Sequence, residues 1–85
     1  MKYAMVVKFK TRELLKSVEI VEDTLNKDMS GMGLPEFYLE STYPLFELDV
    51  DRELTQEEES IIINELNETF RKKEMQYECV RMEKL

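Results

Sequence analysis

The sequence predicts an α+β fold in which two helices pack on one face of a four-stranded antiparallel sheet. Three observations support this prediction. Four segments have the alternation or composition typical of strands, two longer segments carry apolar residues at helical spacing, and turn-forming residues separate them. The resulting order, β-α-β-β-α-β, is that of ferredoxin-like domains. Because 85 residues can bury only one hydrophobic core, we expect residues 1–85 to form a single domain.

The chain begins with a predicted strand and a predicted helix. Residues 2–10 alternate, so that one face is apolar and should point inward: Tyr3, Met5, Val7 and Phe9. A helix is predicted from about Thr11, which can cap it, to about Asp28. Its apolar stripe consists of Leu14, Val18, Val21 and Leu25, and Leu15 widens this stripe. The segment Ser30–Pro35 should end the helix, because its glycines can adopt a left-handed conformation and proline cannot continue a helix.

The second half repeats this pattern with two strands, a helix and a last strand. Residues 37–41 and 45–51 are predicted strands, and the core face of the latter carries Phe46, Leu48 and Val50. Thr55–Glu58 matches a capping box, which predicts a helix start. That helix has an apolar stripe of Ile62, Ile63, Leu66 and Phe70. Residues 75–82 are the predicted fourth strand.

Right-handed connections place the first and third strands in the centre of the sheet and the second and fourth at its edges. The helix-free face of the central pair should then be charged. We expect opposite charges to face each other there, with Lys8 and Lys10 on one strand and Glu47, Asp49 and Asp51 on its neighbour.

Composition argues against several classes of function. With 19 acidic and 12 basic residues, the net charge is -7, which disfavours direct binding to nucleic acid. RNA-binding domains of this architecture also carry aromatic residues on the central strands, where this chain has Ala4, Val6 and Glu47. No apolar run is long enough to span a membrane, and Cys79 has no partner for an internal disulfide. We therefore expect a cytoplasmic protein without a membrane partner.

The residues needed for metal or acid-base chemistry are scarce. The chain has no histidine and one cysteine, so the usual zinc sites cannot form, and no side chain titrates near neutral pH without a large perturbation. Asp49, Asp51 and Glu53 resemble the start of a calcium loop, but Leu54 and Ser60 stand where glycine and glutamate are required. The sequence therefore predicts no enzyme, no cofactor and no metal site, with weak cation binding at the three acids as an alternative.

Negative charge is concentrated in the middle of the chain. Residues 36–68 hold eleven acids and one base, a net charge of -10, while residues 1–35 and 69–85 are slightly basic. The stretch from Asp51 to Glu59 should remain uncompensated. Such a patch either only solvates the surface or recruits a basic protein. The partner-binding residues that we predict are Asp49, Asp51, Glu53, Glu57, Glu58 and Glu59.

The leading hypothesis is therefore a small acidic protein that binds a basic partner and modulates or inhibits it. A nucleic-acid-binding enzyme would be a suitable partner, and the small size also suits a product of a phage or a mobile element. The alternative is a homodimeric regulatory or ligand-sensing domain. It would pair through the sheet face around Ala4 and Val6 or through an exposed edge formed by Met32, Leu34, Tyr38 and Tyr43.

Overall fold

A computed structural model describes residues 1–29 and 31–85. It contains the predicted order of elements, with two helices and four strands. The strands are β1 (Lys2–Phe9), β2 (Phe37–Thr42), β3 (Leu45–Val50) and β4 (Tyr77–Lys84); the helices are α1 (Leu14–Asp23), which continues into a π-helical turn (Thr24–Asp28), and α2 (Gln56–Lys72).

The four strands form one antiparallel sheet in the order β2-β3-β1-β4. The central position of β1 and β3 and the edge positions of β2 and β4 confirm the predicted topology. Each central strand pairs with two neighbours, because the connections through α1 and α2 skip over the strand that lies between the strands they join. The α+β, ferredoxin-like arrangement is therefore correct.

The core lies between the sheet and the two helices. The inward residues of β1 are buried as predicted, since Tyr3, Met5, Val7 and Phe9 are at most 8% exposed. The same cluster includes residues from β3 and from both helices, namely Phe46, Leu48, Val50, Val21, Leu25, Ile62, Leu66 and Phe70. The period of two in the strands therefore identified the core face correctly. In the described part of the chain, every helix is too short or too polar to cross a bilayer.

Helix α1 differs from its prediction at its start. The helix begins at Leu14, and the Thr11 hydroxyl accepts a hydrogen bond from the Glu13 N–H (3.1 Å) instead of capping the helix. Leu15 was wrongly assigned to the apolar stripe, since it is 84% exposed. The buried face runs through Ser17 and Val21, and Leu15 lies two residues before Ser17, about 200° around the helix axis.

The end of this helical segment is a single π turn. The Met29 N–H donates to the Thr24 carbonyl oxygen (3.2 Å), and the Thr24 hydroxyl donates to the Ile20 carbonyl oxygen (2.8 Å). Met29 is buried beneath this turn. Beyond it, Gly31 and Gly33 have φ angles of 87° and 78°, which confirms the predicted left-handed conformation. Ser30, which begins the predicted terminating segment, lies outside the described residues.

Helix α2 has defined caps at both ends. Thr55 and Glu58 form the predicted capping box, in which each side chain accepts from the backbone N–H of the other residue (3.1 and 2.9 Å). At the other end, Glu74 has a φ angle of 53°. The Met75 N–H donates to the Phe70 carbonyl oxygen (2.9 Å) and the Glu74 N–H to that of Arg71 (3.2 Å). These two bonds define a Schellman motif, with glutamate in the position that glycine usually occupies.

Candidate functional site

The predicted partner-binding residues lie between the end of β3 and the first turn of α2. We call Asp49, Asp51, Glu53, Glu57, Glu58 and Glu59 the acidic end. The loop between β3 and α2, which carries Asp51 and Glu53, is fastened to the core, because the buried hydroxyl of Tyr3 accepts a hydrogen bond from the Leu54 N–H (2.7 Å). Leu54 itself is buried against the core cluster. The acidic end is therefore presented on a fixed backbone.

Arg52 and Glu58 form a two-pronged ion pair within the acidic end. The two guanidinium nitrogens of Arg52 lie 2.8 and 2.7 Å from the two carboxylate oxygens of Glu58. The hydrogen bonds from Arg52, followed by that from the Thr55 backbone, lower the pKa of Glu58 from 4.5 to about 2. The same pair raises the pKa of Arg52. Glu58 is therefore occupied with capping α2 and binding Arg52, and its side chain is only 13% exposed.

Two further acids of the acidic end also have cationic neighbours. The Lys84 ammonium lies 2.9 Å from a Glu53 carboxylate oxygen, and this hydrogen bond raises the pKa of Lys84. The amino group of Met1 lies 3.5 Å from Asp49. Within residues 1–29 and 31–85, no ion pair engages Asp51, Glu57 or Glu59. The expectation that the whole stretch from Asp51 to Glu59 is uncompensated is therefore wrong, and the unpaired charge is confined to these three residues.

The expected pairing of Lys8 and Lys10 with the acids of β3 is also wrong. In the observed register, Lys2 lies opposite Asp49 and Ala4 lies opposite Glu47, whereas Lys8 lies opposite Cys79 of β4. Antiparallel pairing reverses the strand direction, so the end of β1 lies beside the start of β3. Lys8 and Lys10 are consequently at the opposite end of the sheet from Asp49 and Asp51.

The register instead brings three glutamates together on the helix-free face. Glu40 of β2 lies directly opposite Glu47 of β3, and Ala4 of β1 lies between Glu47 and Glu83 of β4. We call Glu40, Glu47 and Glu83 the acidic row. Sequence reasoning missed it, because the row depends on strand register and because Glu83 lies outside the acidic segment of the chain.

The predicted hydrophobic edge is only partly exposed. Tyr38 is 74% exposed and Met32 is 45% exposed. Leu34 and Tyr43 pack against the core instead. The Tyr43 hydroxyl accepts a hydrogen bond from the Phe9 N–H (2.9 Å), and the two rings stack with centroids 6.3 Å apart. The exposed part of this edge thus consists of Tyr38 and Met32.

The acidic and cysteine side chains of the described residues do not assemble a metal site. In the parts of the chain that the structure describes, no three His, Cys, Asp or Glu side chains are placed to hold a metal ion, and this includes Asp49, Asp51 and Glu53. Cys79 is half-buried and forms no disulfide. It lies on the helix-free face opposite Lys8.

Comparison with known protein families, with curated proteins and with solved structures gives no match to this chain. The fold itself does not specify an activity, because ferredoxin-like domains serve several unrelated functions. The acidic end and the acidic row are the surface features on which a function can be based.

Proposed function

We propose that this chain acts by binding a basic protein through its acidic end, with Asp51, Glu57 and Glu59 as the recognition residues. The observation that carries the proposal is that these three carboxylates have no ion pair within the described residues, while the acids around them do. Unpaired surface carboxylates are free to bind the lysines or arginines of another molecule. Glu58, by contrast, holds Arg52 and the start of α2.

The fixed loop and the acidic row support the same proposal. A surface that is ordered before binding loses little conformational entropy when a partner docks. The acidic row adds negative charge on the adjoining sheet face, which would increase the rate of association with a cationic protein. Occupation of the cationic surface of a nucleic-acid-binding enzyme would inhibit that enzyme, which is the form of modulation that we propose.

Affinity capture with charge-neutral variants tests this function. The protein is immobilised, partners are recovered from lysate of the source cells, and mass spectrometry identifies them. The recovered partner is then purified, and its affinity is measured by calorimetry for the wild type and for Asp51→Asn/Glu57→Gln/Glu59→Gln. We expect this variant to bind about ten- to a hundredfold more weakly, because three interfacial charge pairs are lost together.

A matched control distinguishes the site from net charge. Glu13→Gln/Glu19→Gln/Glu78→Gln removes the same charge from exposed positions elsewhere on the surface. It should bind as the wild type does. Equal recovery and equal affinity for both triple variants would show that the acidic end is not the binding surface.

A second candidate function is self-association through β2. Strand β2 pairs on one side only, and Tyr38 on this strand is 74% exposed. An edge strand with an exposed aromatic residue can pair with the same strand of a second copy. Sedimentation velocity should then show a dimer for the wild type and a monomer for Tyr38→Lys. Leu15→Lys, which removes an apolar residue from α1 that is 84% exposed, should remain dimeric. A wild-type monomer at high concentration would rule out this function.

A further inference from the structure

A cleft lies at the end of the molecule opposite the acidic end. It separates the start of α1 from the turn between α2 and β4, and its volume is about 530 Å³. Its lining is mostly polar and includes three lysines, which we call the rim lysines, Lys10, Lys16 and Lys73. Three apolar residues, Phe9, Ile20 and Met75, complete part of the lining. A cleft of this size accommodates a small organic molecule.

Ser17 is a buried polar residue that lines this cleft. The residue is only 4% exposed, yet it lines the cleft. No hydrogen bond among the described residues engages its hydroxyl. Since no fully buried side-chain polar atom of those residues lacks a partner, the Ser17 oxygen keeps some exposure to solvent, and the residue lines the cleft. A buried serine that opens onto a cavity without a partner can donate a hydrogen bond to a ligand.

The start of α1 adds further donors beside Ser17. The helix spans ten residues, and no side chain caps its first turn. The N–H groups of Leu14, Leu15 and Lys16 have no partner within the helix and carry the positive end of the helix dipole; of these three residues, Lys16 lines the cleft. A bound anion would satisfy groups that otherwise depend on water.

The three rim lysines favour binding of an anion, whereas two glutamates beside them oppose it. The three lysines are accompanied by Glu13 and Glu74. Glu13 lies 4.0 Å from Lys16, which is a long distance for an ion pair between exposed groups. Lys10 and Lys73 have no ion-pair partner in the described part of the chain, so they are available to a ligand.

We infer that this cleft binds a small organic anion, with a phosphate or carboxylate head at Ser17 and the rim lysines and an apolar body on Phe9, Ile20 and Met75. The site is independent of the acidic end, which is formed at the other end of the sheet. A ligand in this cleft would bridge α1 to the α2–β4 turn.

Amide chemical shifts measured by NMR during titration test the site. The probes are phenyl phosphate, benzoate, inorganic phosphate and phenol, which separate the two head groups from the apolar body. With the probe at about 10 mM, a site with a Kd near 1 mM is mostly occupied. We expect saturable shifts of the Lys16, Ser17 and Met75 amides with phenyl phosphate or benzoate, weaker shifts with inorganic phosphate and none with phenol. The absence of saturable shifts with both organic anions would overturn the inference.

Three variants and one control show which side chains bind the anion. Ser17→Ala should raise the Kd about tenfold, because a hydrogen bond to a charged head group is lost. Lys73→Gln should raise it about threefold, whereas the neighbouring Lys72→Gln, which does not line the cleft, should not change it. Glu74→Asn should lower the Kd, because a carboxylate is removed from the rim. If Ser17→Ala does not fold, unchanged affinity in both Lys73→Gln and Glu74→Asn would by itself contradict the site.

Discussion

Two tyrosine hydroxyls connect loops to strand β1, one at each end of the sheet. Tyr3 accepts from the Leu54 N–H, and Tyr43 accepts from the Phe9 N–H. Each bond satisfies a backbone donor that the sheet does not pair. Tyr3 is the more consequential of the two, because its bond is buried and fastens the acidic end to the core.

Tyr3→Phe should therefore destabilise the protein. The substitution keeps the ring but leaves the Leu54 N–H buried without an acceptor, which costs about 1–3 kcal/mol in the free energy of unfolding. Tyr38→Phe is the control, since Tyr38 is 74% exposed and its loss of a hydroxyl should change stability by less than about 0.5 kcal/mol. Urea denaturation compares the two variants. Equal stabilities would show that the Tyr3 bond contributes nothing.

Glu58 should make stability dependent on acidic pH. Its pKa is about 2 in the folded protein, below its ordinary value of 4.5, because Arg52 and the Thr55 N–H bind the charged form. The stabilisation is therefore complete above pH 4.5 and is lost as the pH falls toward about 2. Arg71 lowers the pKa of Glu68, which acts in the same direction.

Glu58→Gln should flatten this dependence. Urea midpoints measured between the two pKa values should fall less steeply with acidification in the variant than in the wild type. Glu57→Gln removes the same charge from the same helical turn without touching Arg52, and it should retain the wild-type slope. The hypothesis fails if Glu58→Gln and the wild type have the same slope.

The sequence predicted some of the side-chain hydrogen bonds at the acidic end and missed others. The three-residue separation of Thr55 and Glu58 identified their mutual hydrogen bonds, because a capping box is a local pattern. The binding of Glu58 by Arg52 and of Glu53 by Lys84 was missed. The first depends on how the β3–α2 loop folds back, and the second joins residues 31 positions apart.

The secondary-structure elements were predicted best where their pattern is strictly local. Alternation located β1 and β3 and their core faces, since every second side chain of a strand points the same way. The buried face of the first helical segment was predicted less well. It includes the small polar residues Ser17 of α1 and Thr24 of the π turn, while Leu15 is exposed. The choice of Thr11 as the cap therefore misplaced the start of the helix, and the apolar residues alone misplaced the extent of its core face.

The backbone conformation at the end of α2 predicts how two glycine substitutions change stability. Glu74 has a φ angle of 53°, which is unfavourable for a residue with a Cβ atom. Glu74→Gly removes that cost but adds entropy to the unfolded chain, so the free energy of unfolding should rise by up to about 1 kcal/mol. Lys73→Gly, at the preceding position with a negative φ angle, should lower it by up to about 1 kcal/mol. Thermal denaturation of both variants measures the difference. A decrease of similar size in both would contradict the strain at Glu74.

The whole molecule combines two ends of unlike character. The acidic end closes one end of the sheet, and the cleft with its lysine rim opens at the other. The net charge of -7 hides this separation, because it averages a strongly acidic middle segment with slightly basic flanks. The register of β1 against β3 determines where the charges lie, because it places Lys8 and Lys10 far from the acids that they were expected to neutralise.

This distribution predicts that salt stabilises the protein. Glu40 and Glu47 face each other directly, and like charges in that position are destabilising. The Debye length shrinks from about 30 Å at 0.01 M salt to about 3 Å at 1 M, so repulsion within the acidic row is screened. The free energy of unfolding should rise by up to about 1 kcal/mol over this range, chiefly from the directly opposed pair Glu40 and Glu47.

Neutralisation of the row separates charge screening from other effects of salt. Glu40→Gln/Glu47→Gln/Glu83→Gln should be more stable than the wild type at low salt and should gain less on addition of NaCl, measured by urea denaturation at both salt concentrations. Because salt changes the solvent equally for both proteins, the difference between their gains reports on the acidic row alone. If the wild type and the triple variant both lose stability on addition of NaCl, screening of the ion pairs of Arg52 and Lys84 outweighs screening of the repulsion. The acidic row would then not control the salt dependence of stability.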